Sequence, residues 1–198
     1  MKKLFVVVLI VAAGWHFHQS PGSVTLGPGV MAAEAPIQKR GKGSVQYSFR
    51  DYTLTEQARF DIKAKVLGRK DYTFGREAEL SPIDLALGWG RMSDESVLDK
   101  IAISQSGRFY RWQVETFPIP RREIETHSAN MHLIPANEAV RDSINRVRQG
   151  DIVKLSGSLV NVASNTDNWY WRSSLTREDT GNGACELILV KQFDILTL

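Results

Sequence analysis

The stretch ARFDIKAKVL, residues 58–67, has the clearest periodicity in this 198-residue chain. Apolar and charged side chains alternate along it. The two sets are Phe60, Ile62, Ala64 and Val66, and Arg59, Asp61, Lys63 and Lys65. A period of two predicts a β-strand with one buried side and one side in water. We therefore expect a domain built around a half-buried sheet.

Weaker strand signals follow along the rest of the chain. They lie at residues 100–104, 109–114, 129–134, 152–162, 169–175, 185–190 and 192–196. So many short strands favour a mainly antiparallel small barrel or a sandwich. The run GDIVKLSGSLVNV is interrupted by Gly157, which suits one sharply curved strand, as in an OB-like barrel, or two strands joined by a tight turn.

One main helix is predicted near residues 137–149, in the stretch PANEAVRDSINRVRQG. Asn137 is a suitable N-cap and Gly150 a suitable stop, while Val140, Ile144 and Val147 share one face. The fold class is therefore predicted to be α+β and β-rich.

Two shorter helical turns are also predicted. The stretch SPIDLAL begins with Ser81 as a cap and Pro82 at the first helical position, where proline is tolerated. The stretch SDESVLDK would begin with Ser93 as its cap.

The N-terminus has the layout of an export signal. Lys2 and Lys3 precede twelve uncharged residues, Leu4 to Trp15. Twelve helical residues cover about 18 Å, whereas the hydrocarbon core of a membrane is roughly 30 Å thick. We predict a signal sequence or membrane anchor at residues 1–18. An uncleaved anchor in the cytoplasmic membrane is favoured, with the domain facing the periplasm or cell exterior, and secretion after cleavage is the alternative.

Two further segments complete the predicted organisation. Residues 19–43 are rich in Pro, Gly and Ser without periodicity, so we predict a flexible linker there and a single β-rich globular domain at residues 44–198. The net charge of +3 comes from the leader, because residues 44–198 hold 20 basic and 21 acidic residues. This balance argues against a nucleic-acid partner. The predicted partners are the membrane, through the N-terminal segment, and a protein or another envelope component.

Cys185 is the only cysteine, so the chain forms no intramolecular disulfide. It shares a face with Leu187 and Leu189 at the start of a predicted strand, which favours a buried structural thiol. The alternative is a Cys-His acyl-transfer or hydrolytic enzyme. In that enzyme Cys185 would attack, His132 or His127 would act as the base, and Arg177 or Arg172 would steady an oxyanion.

Aromatic residues mark candidate binding surfaces in NWYWR, RFYRW and LGWGR. The candidate ligand-binding residues are Trp89, Trp112, Trp169, Trp171, Tyr110 and Arg111. Trp and Tyr suit this role because they bury much area with little loss of side-chain entropy. No metal site or cofactor is predicted, since His127 and His132 are poorly spaced for shared ligation. The sequence thus favours an exported binding domain with an unknown ligand.

Overall fold

The computed structural model describes residues 22–41, 45–176 and 185–197. The strands within these ranges are Ile37–Arg40 (β1), Gln46–Phe49 (β2), Tyr52–Asp71 (β3), Ile83–Gly88 (β4), Ala102–Ser106 (β5), Phe109–Gln113 (β6), Ser128–Pro135 (β7), Ile152–Ser164 (β8), Tyr170–Trp171 (β9) and Glu186–Leu196 (β10). The helices are Arg76–Leu80 (α1), Glu95–Leu98 (α2), Arg121–Thr126 (α3) and Glu138–Asn145 (α4), with a 3₁₀ turn at Gly90–Ser93. The domain is β-rich with short helices, as the sequence predicts.

Eight of these strands form one sheet. Its order is β1-β3-β4-β7-β10-β8-β9, with β2 also pairing with β3. Strand β3 pairs with β8 as well as with β4, so the pairings run from β3 through β4, β7, β10 and β8 back to β3. Strands β7 and β10 are parallel, and the other pairs are antiparallel. Strands β5 and β6 form a separate hairpin.

The alternation that predicted β3 is confirmed. Phe60, Ile62, Ala64 and Val66 are buried, and the strand extends at both ends beyond the predicted residues. Lys65 is the exception on the charged side: it is buried, and its Nζ lies 2.6 Å from Oε1 of Glu95. A buried ammonium needs such a partner.

Three apolar clusters stabilise the domain. The largest lies among the strands of the closed path and includes Phe60, Leu85, Leu133 and Ile188. Val140 and Ile144 on α4 also belong to it, which explains the apolar face of that helix. A second cluster lies beneath β9 and β2, and a third joins the β5–β6 hairpin to β4.

Gly157 lies inside one continuous strand, β8, so the alternative of a single strand is confirmed and that of a tight turn is wrong. Gly157 faces Phe60 on one neighbour and Val190 on the other. A Cβ atom at Gly157 would lie 2.2 Å from the carbonyl oxygen of Leu189, so only glycine allows this close approach. The two strands predicted at 185–190 and 192–196 are one strand, β10, with a register shift between Val190 and Gln192.

The prediction of a helical turn at SPIDLAL is wrong, because residues 83–88 form strand β4. All six of its residues are buried between β3 and β7, so the alternation that marks a half-exposed strand is absent. The strand predicted at 169–175 is reduced to Tyr170–Trp171.

Helix boundaries also differ from the predictions. The main helix begins after its predicted cap, with Asn137 accepting a hydrogen bond from the Val140 N–H at 3.0 Å, but it ends at Asn145. The cap of α2 is Asp94 rather than Ser93, and its carboxylate accepts from the Ser96 N–H at 2.9 Å.

Residues 24–32, which we call the N-terminal strap, dock on the domain. The Val24 N–H donates to the Gln149 carbonyl at 2.8 Å, and the Leu26 N–H donates to Oε1 of Glu95 at 3.2 Å. The Ala32 N–H donates to Oγ of Ser93 at 3.0 Å. These contacts bind the strap to α2, to the turn before it and to the segment that follows α4.

Strand β1 then pairs with β3 from Ile37 to Arg40. Over residues 22–41 the structure therefore differs from the predicted flexible linker, because long-range hydrogen bonds hold this segment to the domain. The predicted anchor at 1–18 and residues 42–44 lie outside the described residues. Within the described ranges, no helix is long and apolar enough to cross a membrane.

Candidate functional site

A cleft of about 170 Å³ lies where the start of β10, strands β7 and β9, helix α1 and the β5–β6 turn meet. Its lining residues are Glu77, Arg108, Phe109, His132, Trp171, Arg172 and Cys185. We call it the Trp171 cleft. It brings together two residues predicted as catalytic, Cys185 and His132, and one predicted as ligand-binding, Trp171.

A buried carboxylate supports this cleft from below. Asp84 lies on β4 directly opposite His132 on β7 and is 0% exposed. Its Oδ1 accepts a hydrogen bond from Nη1 of Arg108 at 2.7 Å. The same Oδ1 lies 2.9 Å from Nδ1 of His132, but the direction between them is not that of a hydrogen bond. Asp84 therefore places a negative charge against both the guanidinium and the imidazole.

Arg108 is held in an unusual backbone conformation. It forms the β5–β6 turn with Gly107, and its φ is +70°, which residues other than glycine rarely adopt. Its Nη1 also donates to the Ser81 carbonyl at 2.8 Å, and its guanidinium stacks 3.7 Å from the centroid of the Tyr72 ring. The charged contacts at the side chain offset the cost of this turn geometry.

Asn130 connects the groups below the cleft. Its Nδ2 lies 3.1 Å from the Arg108 carbonyl oxygen, 3.4 Å from Oδ2 of Asp84 and 3.9 Å from Sγ of Cys185. Its Oδ1 accepts from Nε2 of Gln105 at 2.7 Å. A buried amide that joins a carboxylate, a carbonyl and a thiol fixes their relative positions.

Cys185 immediately precedes β10 and is partly exposed rather than fully buried. Its thiol donates to the Arg108 carbonyl at 3.7 Å, and its own carbonyl accepts from the Ser174 N–H at 3.0 Å. Leu187 and Leu189, on the face predicted to bury the thiol, are buried. The predicted burial is therefore confirmed for the two leucines, whereas Cys185 is only partly buried and lines the cleft.

Of the five residues named for the catalytic alternative, Cys185, His132 and Arg172 line the cleft and His127 does not. His132 lines the cleft with Cys185, and its ring lies 4.9 Å from that of Trp171. His127 lies before β7, where its ring is 6.2 Å from that of Trp89 and its Nδ1 is 3.2 Å from the Glu123 carbonyl oxygen. Arg177 lies outside the described residues.

The predicted tryptophans differ in burial, since Trp89 is buried and Trp112, Trp169 and Trp171 are half-buried. Trp171 on β9 and Trp169 just before it pack on the second cluster with ring centroids 6.1 Å apart, whereas Tyr170 is exposed. Trp89 is 1% exposed and belongs to the largest apolar cluster, so it packs in the core and presents no binding surface. Trp112 packs on the third cluster.

The remaining two candidates, Tyr110 and Arg111, lie on β6. Tyr110 packs on the third cluster and donates to Oγ of Ser128 at 3.2 Å. Burial raises the pKa of its phenol to about 12, against the lowering effect of that hydrogen bond. Arg111 is exposed and donates to Oγ of Ser106 at 2.8 Å. Neither of them lines the Trp171 cleft.

Sequence reasoning missed Glu77, Arg108 and Phe109 in the lining, and Asp84 and Asn130 beneath it. A signal existed for Asp84, because a single carboxylate inside the apolar run PIDLALG predicts either an exposed turn or a buried charge with a partner. Arg108 and Glu77 carried no comparable signal. Among the described residues, no group of three or more His, Cys, Asp or Glu side chains is arranged to hold a metal ion.

Comparison with protein families, with curated proteins and with solved structures found no match to this chain.

Proposed function

We propose that this protein is an exported, membrane-anchored envelope protein whose domain is an OB-like barrel that binds a ligand in the Trp171 cleft. The strand order supports the barrel. Taken along the chain, the strands of the closed path are β3, β4, β7, β8 and β10, and in space the fifth lies between the third and the fourth. Helix α4 lies between the third and fourth strands. OB barrels have this arrangement.

The position of the cleft is the observation that carries the binding proposal. Glu77 belongs to the connection between the first and second barrel strands, and Trp171 and Cys185 belong to the connection between the fourth and fifth. His132 lies on the third strand. In OB barrels, the second and third strands and these two connections form the ligand face.

The charge balance supports a small ligand or an envelope component over a nucleic acid. Residues 44–198 are nearly neutral, so their net charge provides no general attraction to a phosphate backbone. The cleft instead combines an aromatic wall with a few charged groups, as small-molecule sites do.

Ligand-observed NMR with the full-length chain tests binding. The probes are neutral sugars, free amino acids, simple carboxylates and inorganic phosphate. We expect at least one probe to bind the wild-type chain and the Phe74→Ser variant but not Trp171→Ala. Phe74 is a matched control because it is 93% exposed and does not line the cleft. Equal binding of every probe to wild type and Trp171→Ala would contradict the proposal.

Export is proposed from Lys2, Lys3 and the apolar run that follows them. We expect fractionation to place the full-length chain in the membrane, and protease added to spheroplasts to digest its domain. Full-length chain in the cytosol, resistant to that protease, would refute export without affecting the binding test.

A second candidate function is a Cys-His acyl-transfer or hydrolytic enzyme. The observation that favours it is the common cleft of Cys185 and His132, with Asp84 behind the imidazole. The Nδ1 side of His132 faces Asp84, which leaves Nε2 for the thiol proton. The sulfur would then attack a carbonyl carbon while Arg172 steadies the oxyanion. The bond to the leaving group would break as the imidazole returns the proton to that group, and water or an amine would cleave the resulting thioester and free the thiol.

Labelling of the native chain with iodoacetamide over a pH series separates the two functions. An activated nucleophile would react rapidly even on the acidic side of neutral pH, and His132→Ala would slow the reaction. The binding function predicts the slow, alkaline-dependent reaction of an ordinary accessible thiol, equal in wild type and His132→Ala. The His127→Ala variant is the control, because His127 lies away from the cleft.

A further inference from the structure

Two opposite charges line the Trp171 cleft without pairing. Arg172 and Glu77 both contribute to the lining, on opposite connections of the domain. Among the described residues, neither forms an ion pair with the other or with a third side chain. A charged side chain without an ion-pair partner can bind the opposite charge of a ligand. Arg172 and Glu77 are therefore the two groups of the cleft that a charged ligand would contact.

The other charges at the cleft are already engaged within the domain. Arg108 is paired with Asp84 at 2.7 Å, and Asp84 also faces His132. These three groups stabilise one another beneath the cleft. They therefore contribute little net charge to a ligand, and Arg172 and Glu77 decide which ionic groups it can carry.

The guanidinium of Arg172 is partly ordered by an aromatic neighbour. It lies 5.1 Å from the centroid of the Tyr170 ring. Stacking restricts a guanidinium while leaving its N–H donors free, which suits the recognition of a planar carboxylate. Glu77 is only partly exposed and can accept hydrogen bonds from an ammonium group.

The walls and the volume limit the rest of the ligand. Trp171 and Phe109 present apolar surface, and the volume of about 170 Å³ lies below the roughly 300 Å³ at which drug-sized sites begin. A ligand of a few heavy atoms with a short apolar group fits these conditions.

We propose that the Trp171 cleft binds a small zwitterion, a free α-amino acid, with its carboxylate on Arg172, its ammonium on Glu77 and its side chain against Trp171 and Phe109. This inference rests on the proposed binding function and specifies its ligand class. A simple anion would be repelled by Glu77 and a simple cation by Arg172. The zwitterion satisfies both groups at once.

Isothermal titration of the full-length chain tests the inference with three matched probes. L-leucine carries both charges, N-acetyl-L-leucine only the carboxylate, and L-leucinamide only the ammonium. We expect L-leucine to bind wild type roughly tenfold or more tightly than either of the others, since each charged hydrogen-bonding group contributes on that scale.

Two charge variants assign each contact. Arg172→Gln should weaken the binding of L-leucine and strengthen that of L-leucinamide, because the positive charge that repels the ammonium group is removed. Glu77→Gln should weaken the binding of L-leucine and strengthen that of N-acetyl-L-leucine, because the negative charge that repels the carboxylate is removed. The controls are Arg59→Gln and Glu79→Gln, which change exposed residues outside the cleft.

Equal affinity for the three probes, an equal loss for all probes in both variants, or no binding of L-leucine would each overturn the zwitterion inference. The NMR panel then separates this failure from failure of the proposed function. A sugar, carboxylate or phosphate that binds wild type but not Trp171→Ala would retain the cleft as a binding site with another ligand class. The absence of any Trp171-dependent probe would refute both.

Discussion

Replacement of Asp84 by asparagine should destabilise the domain strongly. Asp84 is 0% exposed and its Oδ1 pairs with Arg108 at 2.7 Å, close to Nδ1 of His132. The substitution keeps the shape of the side chain and removes its charge. The side chain of Arg108 is only 18% exposed, so water replaces little of the lost interaction.

The expected loss in the free energy of unfolding is about 3 kcal/mol. Removing one partner of a fully buried ion pair costs roughly 3 to 5 kcal/mol because the other charge is left uncompensated. The lower end applies here, since Arg108 keeps its hydrogen bond to the Ser81 carbonyl and some contact with water. Urea unfolding of the full-length chain at neutral pH measures this loss as a lower midpoint with an unchanged slope.

Asp71→Asn is the matched control. Asp71 also pairs with an arginine at 2.7 Å, in this case Arg69, but its side chain is 49% exposed. An ion pair with such exposure contributes less than about 1 kcal/mol. If Asp84→Asn costs no more than Asp71→Asn, burial does not set the strength of the Asp84–Arg108 pair and the proposed support of the cleft is incorrect.

Three further outcomes follow from the structure. Gly150→Ala should lower the free energy of unfolding by roughly 1 to 3 kcal/mol and speed limited proteolysis within the strap. The reason is that φ at Gly150 is +93° and the new Cβ would lie 1.7 Å from the Val24 carbonyl oxygen. Unchanged cleavage would show that the strap does not depend on this contact. Gly157→Ala should lower the free energy of unfolding by about 3 kcal/mol, measured as a lower urea midpoint, since the added Cβ would force β8 and β10 apart. A midpoint equal to wild type would contradict the close strand approach. Burial raises the pKa of Tyr110 from 10.0 to about 12, so the folded state favours the neutral phenol. The resulting stabilisation is fully present below pH 10 and is lost as the pH rises toward 12. Urea unfolding across that window should show a smaller decline for Tyr110→Phe than for wild type, and identical declines would refute this assignment.

The parts of the fold that the sequence predicts are those with local periodicity. Strand β3 is half-exposed in its middle, so its alternation is visible in the letters, and α4 has a cap and an apolar face. Strand β4 has no alternation because both of its sides are buried, and Ser81-Pro82 resembles a helix start. Residues 24–40 lack periodicity because partners far away in sequence hold them, Ser93 and Glu95 among them.

The candidate site was predictable only in part, through the types of residue that it contains. Cys185, His132 and Trp171 were identified because their residue types carry chemistry or binding area in any context. Asp84 and Arg108 gain their roles only when strand β4 and the β5–β6 turn lie beside β7, and that proximity comes from the sheet order. Long-range pairing of this kind leaves no local mark in a sequence.

The place of β10 between β7 and β8 has a consequence for how the domain is assembled. Strands β7 and β8 follow each other in the chain but do not pair, and β10 fills the gap between them. Until β10 arrives, both strands keep an open edge of unpaired backbone groups, which is a template for aggregation. The contacts that close the sheet also join distant parts of the chain, such as β3 with β8, and such contacts slow folding. A nascent chain that has made β8 but not β10 therefore carries exposed edges, and we expect its yield of folded domain to depend on chaperones that shield them during synthesis.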